Sequence, residues 1–217
     1  MSELSGTVQW TDLVHQLLGE LHQEGKTKQE IIDVLGEIEF NPAILKMLHA
    51  IKGAGGDIII VSDANTVYID EILKAKNARE YISEIITNPG IWDPTTSRLS
   101  VTRRIAPPET HGCSGACSVN LCKGSEILPR IKDYDLILYG GDGKNDHCPM
   151  TKLRKGDVAL ARRGHSLEKL LSLATDGAAG DGKKLDEIQA RLVWWTEADD
   201  LLEIVEGVLA EATKKDS

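Results

Sequence analysis

The first fifty residues carry apolar positions at helical spacing. Apolar residues recur every three or four positions through residues 10–21, which predicts an amphipathic helix that ends at Gly25. A second helix is predicted to begin near Thr27, because Thr27 and Glu30 have the spacing of a capping box. A third is predicted to follow Asn41-Pro42, since asparagine caps helices and proline fits the first turn. We expect these helices to serve packing.

The pattern changes after a glycine-rich segment at residues 53–56. Residues 57–61 form a β-branched run typical of a buried parallel strand, and the run ends at Ser62-Asp63-Ala64-Asn65-Thr66 before a predicted helix. Two interpretations of this end are open. The Ser62 hydroxyl, together with the backbone N–H groups at the start of the following helix, can bind a phosphate group. Alternatively, Ser62 or Asp63 caps the helix.

Strands and helices alternate over the rest of the chain. This alternation predicts an α/β fold with a parallel sheet covered on both faces. The predicted strands cover residues 57–61, 82–87, 98–105, 136–139, 157–161 and 191–195, and predicted helices begin near residues 68, 123, 148, 166 and 197.

A glycine- and aspartate-rich loop follows the strand at residues 136–139. Asp142 and Asp146 lie four positions apart on this loop. Ligands of parallel α/β sheets bind where such strands end, and two carboxylates on a tight loop can converge on Mg²⁺. The alternative is a glycine-rich turn with solvated aspartates.

Composition limits the classes of function. The length of 217 residues suits one domain of ordinary size. The net charge of −9 argues against a general nucleic-acid-binding protein, and no basic stripe offsets it. No apolar run approaches the roughly 18 residues that a membrane span needs. We therefore expect a cytoplasmic protein that binds neither nucleic acid nor membrane.

Four cysteines lie in the second half of the chain. Cys113, Cys117 and Cys122 have the spacing C-x3-C-x4-C, and Cys148 follows at a distance. Four cysteines can bind zinc, but this spacing is not the paired C-x2-C of common structural sites. Reduced thiols, or an occasional disulfide, are the favoured interpretation.

Three motifs together resemble a known superfamily. The strand end at Ser62-Asp63, the segment that leads from the cysteines to Lys123, and the string from Gly141 to Pro149 resemble the haloacid dehalogenase superfamily. More narrowly, they resemble the phosphoethanolamine/phosphocholine phosphatase and pyridoxal-phosphate phosphatase family. The likeness covers residues 10–210. It implies a Rossmann-like core over residues 53–217, a helical cap over residues 10–52, and Mg²⁺ as cofactor.

The resemblance also implies roles for single residues. Ser62 would hydrogen-bond the transferring phosphoryl group, and Lys123 would neutralise its charge. Asp142 would bind Mg²⁺, with Asp146 helping to hold or orient the site. A small phosphorylated metabolite is the implied substrate: phosphoethanolamine, phosphocholine or pyridoxal phosphate. The implied substrate-binding residues are Asp63 and Asn65.

One departure from the family pattern bears on catalysis. The family begins with a strand that ends in D-x-D-x-T, which supplies the aspartate nucleophile and the general acid/base. No such motif precedes Trp10, and Asp63-Ala64-Asn65-Thr66 has Asn65 in place of the second aspartate. The first core strand of the sheet is therefore expected to be missing, and the natural protein is expected to have more N-terminal sequence.

This departure predicts impaired turnover by a member of a phosphatase family. One alternative is a pseudophosphatase that binds a phosphate ligand or a partner without hydrolysis. Another is a truncated product with no function of its own.

Overall fold

The structure of the protein is a computed structural model that describes residues 8–113, 117–175 and 185–215. The described chain divides into two compact units. The first unit comprises residues 8–40 and 57–110. The second comprises residues 41–56 and the described residues from 111 onward. Among the described residues, no helix has the length and apolar character needed to cross a membrane.

Three helices belong to the first unit. Helix α1 spans Trp10–Gln23 and packs against strand β4 (Leu99–Val101). Helix α2 spans Lys28–Glu37 and begins with the predicted capping box, in which Thr27 Oγ1 accepts from the Glu30 backbone N–H at 3.2 Å. Helix α4 spans Thr66–Ala75 and packs against α2. The predicted apolar faces are only partly used for packing. Leu18 of α1 and Leu35 of α2 are buried, whereas Trp10, Leu17 and Leu21 are exposed.

The first unit contains two small sheets. Strands β1 (Ile59–Asn65) and β2 (Glu84–Asn88) are parallel, and their register shifts between Val61 and Asn65. Strands β3 (Gly90–Trp92) and β4 (Leu99–Val101) form an antiparallel pair. Leu18, Leu99 and Val101 form the buried centre of the adjoining core.

The second unit is built on a parallel sheet and five helices. Its strands and helices are β5 (Leu138–Gly141), β6 (Val158–Arg162), β7 (Arg191–Trp195), α3 (Pro42–Gly53), α5 (Lys123–Ile127), α6 (His147–Met150), α7 (Ser166–Thr175) and α8 (Ala198–Lys215). The three strands pair in the order β5-β6-β7.

Two hydrophobic cores lie in this unit. One lies among β6, α3 and α8, around Val158, Leu160 and Val205. The other lies under α6 and α7, around Met150, Ala159 and Leu167.

The predicted α/β class with parallel strands is confirmed, and several strand boundaries differ from prediction. Strand β3 was not predicted, and the strand predicted over residues 98–105 is confined to β4. Strand β1 does not end before Ser62 but continues to Asn65. Asn65, and not Ser62 or Asp63, caps helix α4, because its Oδ1 accepts from the Tyr68 backbone N–H at 3.0 Å. Asparagine at this position satisfies an N–H that the helix leaves without an internal partner.

The parallel strands form two separate sheets in the described part of the chain. There β1 pairs with β2 alone, and β5 pairs with β6 alone. The expectation that the first core strand of the sheet is missing stays a prediction. The chain passes from one unit to the other at residues 40/41, 56/57 and 110/111, whereas the predicted boundary between cap and core lies between residues 52 and 53. The assignment of a cap over residues 10–52 and a core over residues 53–217 stays a prediction.

Candidate functional site

A largely buried ion pair lies in the second unit. Lys123 Nζ lies 2.7 Å from Asp146 Oδ1, and the two side chains are 12% and 3% exposed. Lys123 is the first residue of α5, and Asp146 ends a short 3₁₀ turn that follows β5. Residues 23 positions apart in sequence therefore meet, and the charge of the ammonium group is placed beside the end of β5.

The Asp146 carboxylate makes four hydrogen bonds. Its Oδ1 accepts from Lys123 Nζ and from the Tyr139 hydroxyl at 2.8 Å. Its Oδ2 accepts from the backbone N–H groups of Asp142 at 3.1 Å and Gly143 at 2.9 Å. An ionised carboxylate has about four lone-pair sites, so these four bonds use its whole capacity to accept hydrogen bonds. The arrangement favours a positioning role for Asp146, since a metal contact would require one of these bonds to be exchanged.

Gly141 allows Asp146 to lie this close to the strand. A Cβ atom at Gly141 would come within 2.4 Å of Asp146 Cβ, far inside van der Waals contact. Only glycine leaves room for the carboxylate to turn back onto the loop. The sequence analysis took the glycines of this loop as a turn signal. At Gly141, the glycine is also needed because a side chain there would collide with Asp146.

Asp142 has the opposite environment from Asp146. Its side chain is 52% exposed, and its Oδ2 lies 3.5 Å from His165 Nδ1. Its carbonyl oxygen accepts from the Leu167 backbone N–H at 2.9 Å, which ties the loop to the start of α7. Mg²⁺ commonly takes one or two protein carboxylates and completes its shell with water and phosphate. One exposed carboxylate at the end of a parallel strand fits that requirement.

The three other predicted site residues lie together in the first unit. Ser62 Oγ accepts from the Ala64 backbone N–H at 3.2 Å, a local turn contact. The carbonyl oxygens of Asp63 and Ala64 each accept from Asn88 Nδ2 at 2.8 Å. The Asn65 side chain is 1% exposed and is used as the cap of α4. The predicted contacts of Ser62, Asp63 and Asn65 with a phosphorylated ligand stay predictions.

Three residues of these strand ends were not predicted from sequence. Tyr139 and His165 contact the two aspartates of the β5 end, and Asn88 holds the β1 end. The sequence predicts Tyr139 only as a strand residue. The single feature that could have indicated a role in the site is a hydroxyl group near the end of a strand. Asn88 and His165 carry no such signal, because their partners are distant in sequence.

The four cysteines, here called the thiol cluster, converge in the second unit. Their Sγ atoms all lie within 4.8 Å of one another, and none of the four is joined in a disulfide. Burial raises the pKa of Cys148 to about 12 and also raises the pKa of Cys117. Burial has the same effect on Cys122, but hydrogen bonds from Ser125 and the neighbouring thiols outweigh it and lower the pKa of Cys122 to about 7.

Comparison with known proteins gives the family. The family model described as Putative Phosphatase matches residues 1–209. This chain belongs to that family. The match confirms the predicted membership of the haloacid dehalogenase superfamily and of its phosphatases.

Two relatives in sequence agree with this family. Inorganic pyrophosphatase 2 of Arabidopsis thaliana is 30% identical over 97% of this chain and 74% of its own length. Pyridoxal phosphate phosphatase PHOSPHO2 of Bos taurus is 29% identical over 93% of this chain and 82% of its own length. A crystal structure of cytosolic 5'-nucleotidase IIIB bound to cytidine covers 98% of this chain and 69% of its own chain, with 10% identity and a TM-score of 0.49.

Proposed function

We propose that this chain binds Mg²⁺ and the phosphoryl group of a small phosphorylated metabolite at the end of β5, as part of a Mg²⁺-dependent phosphomonoesterase site. The observation that carries the proposal is the Asp146 carboxylate, which holds Lys123 through one oxygen and the Asp142 backbone through the other. A fixed cation and an exposed carboxylate are thereby joined through one buried group. Phosphoryl groups are bound by cationic side chains together with metal ions, and the exposed carboxylate would hold such an ion.

Each residue of the β5 end has a part in this proposal. Lys123 neutralises charge on the phosphoryl oxygens. Asp146 orients Lys123, and the Tyr139 hydroxyl holds Asp146 in place. Asp142 holds Mg²⁺, which supplies further positive charge at those oxygens when it is bound. Because Asp146 is already hydrogen-bonded to Lys123, the ammonium group need not lose side-chain freedom when the ligand arrives.

The substrate class comes from the resemblance and from the names of the relatives. Phosphoethanolamine, phosphocholine and pyridoxal phosphate are the candidate monoesters. Pyrophosphate is added because one relative is named an inorganic pyrophosphatase. The thiols, which are not joined in disulfides, are typical of a reducing compartment and support the predicted cytoplasmic location.

We propose further that residues 1–217 bind this ligand with little or no turnover. The sequence contains no D-x-D-x-T string, and Asp63-Ala64-Asn65-Thr66 is the segment that approaches it. Asn65 cannot exchange a proton as a general acid/base would, and its oxygen caps α4. This observation favours the second candidate function, a pseudophosphatase that binds a phosphate ligand without hydrolysing it.

Binding and turnover are tested on the same three proteins: the parent chain, Asp142→Asn, and Asp133→Asn as a matched control. Asp133 is an exposed aspartate of the same unit, in the 3₁₀ turn before β5. Mg²⁺ with inorganic phosphate should raise the melting temperature of the parent and of Asp133→Asn, but not that of Asp142→Asn. At a ligand concentration of 100 times Kd, the stabilisation is about 2.7 kcal/mol.

Phosphate release from the four substrates completes the test. We expect no Mg²⁺-dependent release by any of the three proteins. Release by the parent that is lost in Asp142→Asn would overturn the claim of low turnover, and Asp63→Asn would then test Asp63 as nucleophile. A parent that is folded but gains no stability from Mg²⁺ and phosphate would overturn the binding proposal.

A further inference from the structure

The thiol cluster has the dimensions of a site for one tetrahedral metal ion. Three of its six Sγ–Sγ distances are 3.7 Å (Cys113–Cys117), 3.8 Å (Cys113–Cys148) and 3.6 Å (Cys122–Cys148), and all six are within 4.8 Å. A disulfide would bring two sulfurs to about 2.0 Å. Four thiolates around Zn²⁺, each at about 2.3 Å, stand roughly 3.8 Å apart at the corners of a tetrahedron.

We infer that Cys113, Cys117, Cys122 and Cys148 bind one structural Zn²⁺ ion through four thiolates. A zinc site with four protein ligands is closed, so it stabilises structure and has no position for substrate. The inference goes beyond the proposed phosphate site, because it concerns a separate set of side chains. Four sulfur ligands suit zinc or iron, and sulfurs this close together suit a single ion.

A nearby histidine is not part of the ligand set. His111 Nδ1 accepts from the Cys113 backbone N–H at 3.1 Å, and His111 Nε2 lies 2.7 Å from the Ser118 carbonyl oxygen. Both ring nitrogens are therefore used to hold the backbone, one at Cys113 and the other at Ser118. His111 is a positioning residue for this segment, and the four sulfurs complete the tetrahedral set without it.

The position of the thiol cluster connects it to the Lys123–Asp146 pair. Cys122 caps helix α5 immediately before Lys123, and its Sγ accepts from the Ser125 backbone N–H at 3.3 Å. Cys148 lies two residues after Asp146. An ion shared by Cys122 and Cys148 would fix the distance between the segments that carry Lys123 and Asp146.

Helix α5 packs closely enough on α6 to make this connection rigid. A Cβ atom at Gly124 would come within 2.6 Å of Cys148 Sγ and 3.2 Å of the Cys148 backbone. The two segments are thus in contact without an intervening side chain. The zinc ion would act as a cross-link at this contact and join it to the segment that carries Cys113 and Cys117.

Metal content of the purified chain is the first test. The full chain is produced in zinc-supplemented medium, and bound metal is measured by inductively coupled plasma mass spectrometry. We expect roughly one equivalent of zinc per chain, and loss of most of it in Cys113→Ser and in Cys148→Ser. Val119→Ala is the matched control, because Val119 lies in the same segment and is 64% exposed. That variant should keep its zinc.

A second measurement uses the unaltered protein, so that a variant that fails to fold cannot obscure the result. Cobalt is exchanged for zinc, and the absorption spectrum is recorded. Thiolate-to-cobalt charge transfer and the intense visible bands of a tetrahedral ion are expected. Removal of zinc with a chelator should also lower the melting temperature, and added zinc should restore it.

Three results would overturn the inference. A metal-free folded protein with four titratable thiols would show that the cluster is a set of separate thiols. A mass four hydrogens lower after purification would show two disulfides. Iron in place of zinc would show that the ion has been assigned wrongly.

Discussion

The β1 end (residues 62–66) and the β5 end (residues 140–146) are both polar ends of parallel strands, but different interactions hold them. The β1 end is held by neutral groups, chiefly the Asn88 amide and the Asn65 cap. The β5 end is held by a buried charge pair and a tyrosine hydroxyl. A fixed charge at the end of a strand can bind an ionic ligand, whereas a neutral amide network mainly fixes the shape of the backbone.

The two aspartates of the β5 end sharpen this contrast. Both belong to one loop, yet Asp146 is 3% exposed and fully hydrogen-bonded, while Asp142 is 52% exposed. The two carboxylates are chemically alike, but their environments differ. Asp146 therefore orients a neighbour, whereas Asp142 can bind a ligand. Substitutions at the two strand ends test this division.

The largest expected effect is that of Asp146→Ala. Removal of one partner leaves the Lys123 ammonium group buried without its counter-charge, which costs about 3–5 kcal/mol of unfolding free energy. Asp142→Ala is the matched control, and we expect a change within about 0.5 kcal/mol because its side chain is exposed. Urea unfolding of both variants and the parent measures the difference. Equal losses would show that burial does not separate the two aspartates.

A smaller loss is expected for Asn88→Ala. The Asn88 side chain donates to the carbonyl oxygens of Asp63 and Ala64 and accepts from the Arg104 backbone N–H. At about 1 kcal/mol for each hydrogen bond, its removal costs roughly 3 kcal/mol. Hydrogen exchange should show lost protection in peptides that cover residues 59–66, while peptides that cover residues 138–150 stay unchanged. Lost protection in both sets would contradict a neutral network confined to the β1 end.

The smallest expected effect is a dependence on acid pH through Asp157. This side chain is 1% exposed, at the residue that precedes β6, beside β5. Burial raises the pKa of Asp157, but hydrogen bonds from Arg154 and from the Arg154 and Ile137 backbones outweigh it. They lower the pKa of Asp157 below its ordinary 3.8. Because the ionised form favours the fold, its contribution is complete above that value and is lost as the pH falls through the lowered pKa.

Unfolding free energies of the parent and of Asp157→Asn test this dependence. The parent should be the more stable protein near neutral pH, and its advantage should shrink as the pH falls below about 4. A difference that is constant with pH would show that the Asp157 charge does not stabilise the second unit.

Local pattern determined the helices, most of the strands and the identity of several candidate residues, but it did not predict strand β3. The capping box of Thr27 and Glu30 and the cap of Asn41 were predicted from sequence and are present, because these interactions span only a few residues. The motifs at residues 62–66, 123 and 141–149 also indicated the family, because their order along the chain can be recognised although each motif alone is weak. The sequence further placed Asp142 and Asp146 on one loop at a strand end.

Tertiary structure alone decided which of those residues are buried and which are exposed. The opposite environments of Asp142 and Asp146, the contact of Tyr139 with Asp146, and the approach of Cys148 to Cys113 and Cys122 all depend on packing between elements. The cysteine spacing argued against zinc, yet the fold brings the four sulfurs within 4.8 Å of one another. Spacing along a chain limits only local geometry, whereas ligand sets and ion pairs are formed where elements distant in sequence meet.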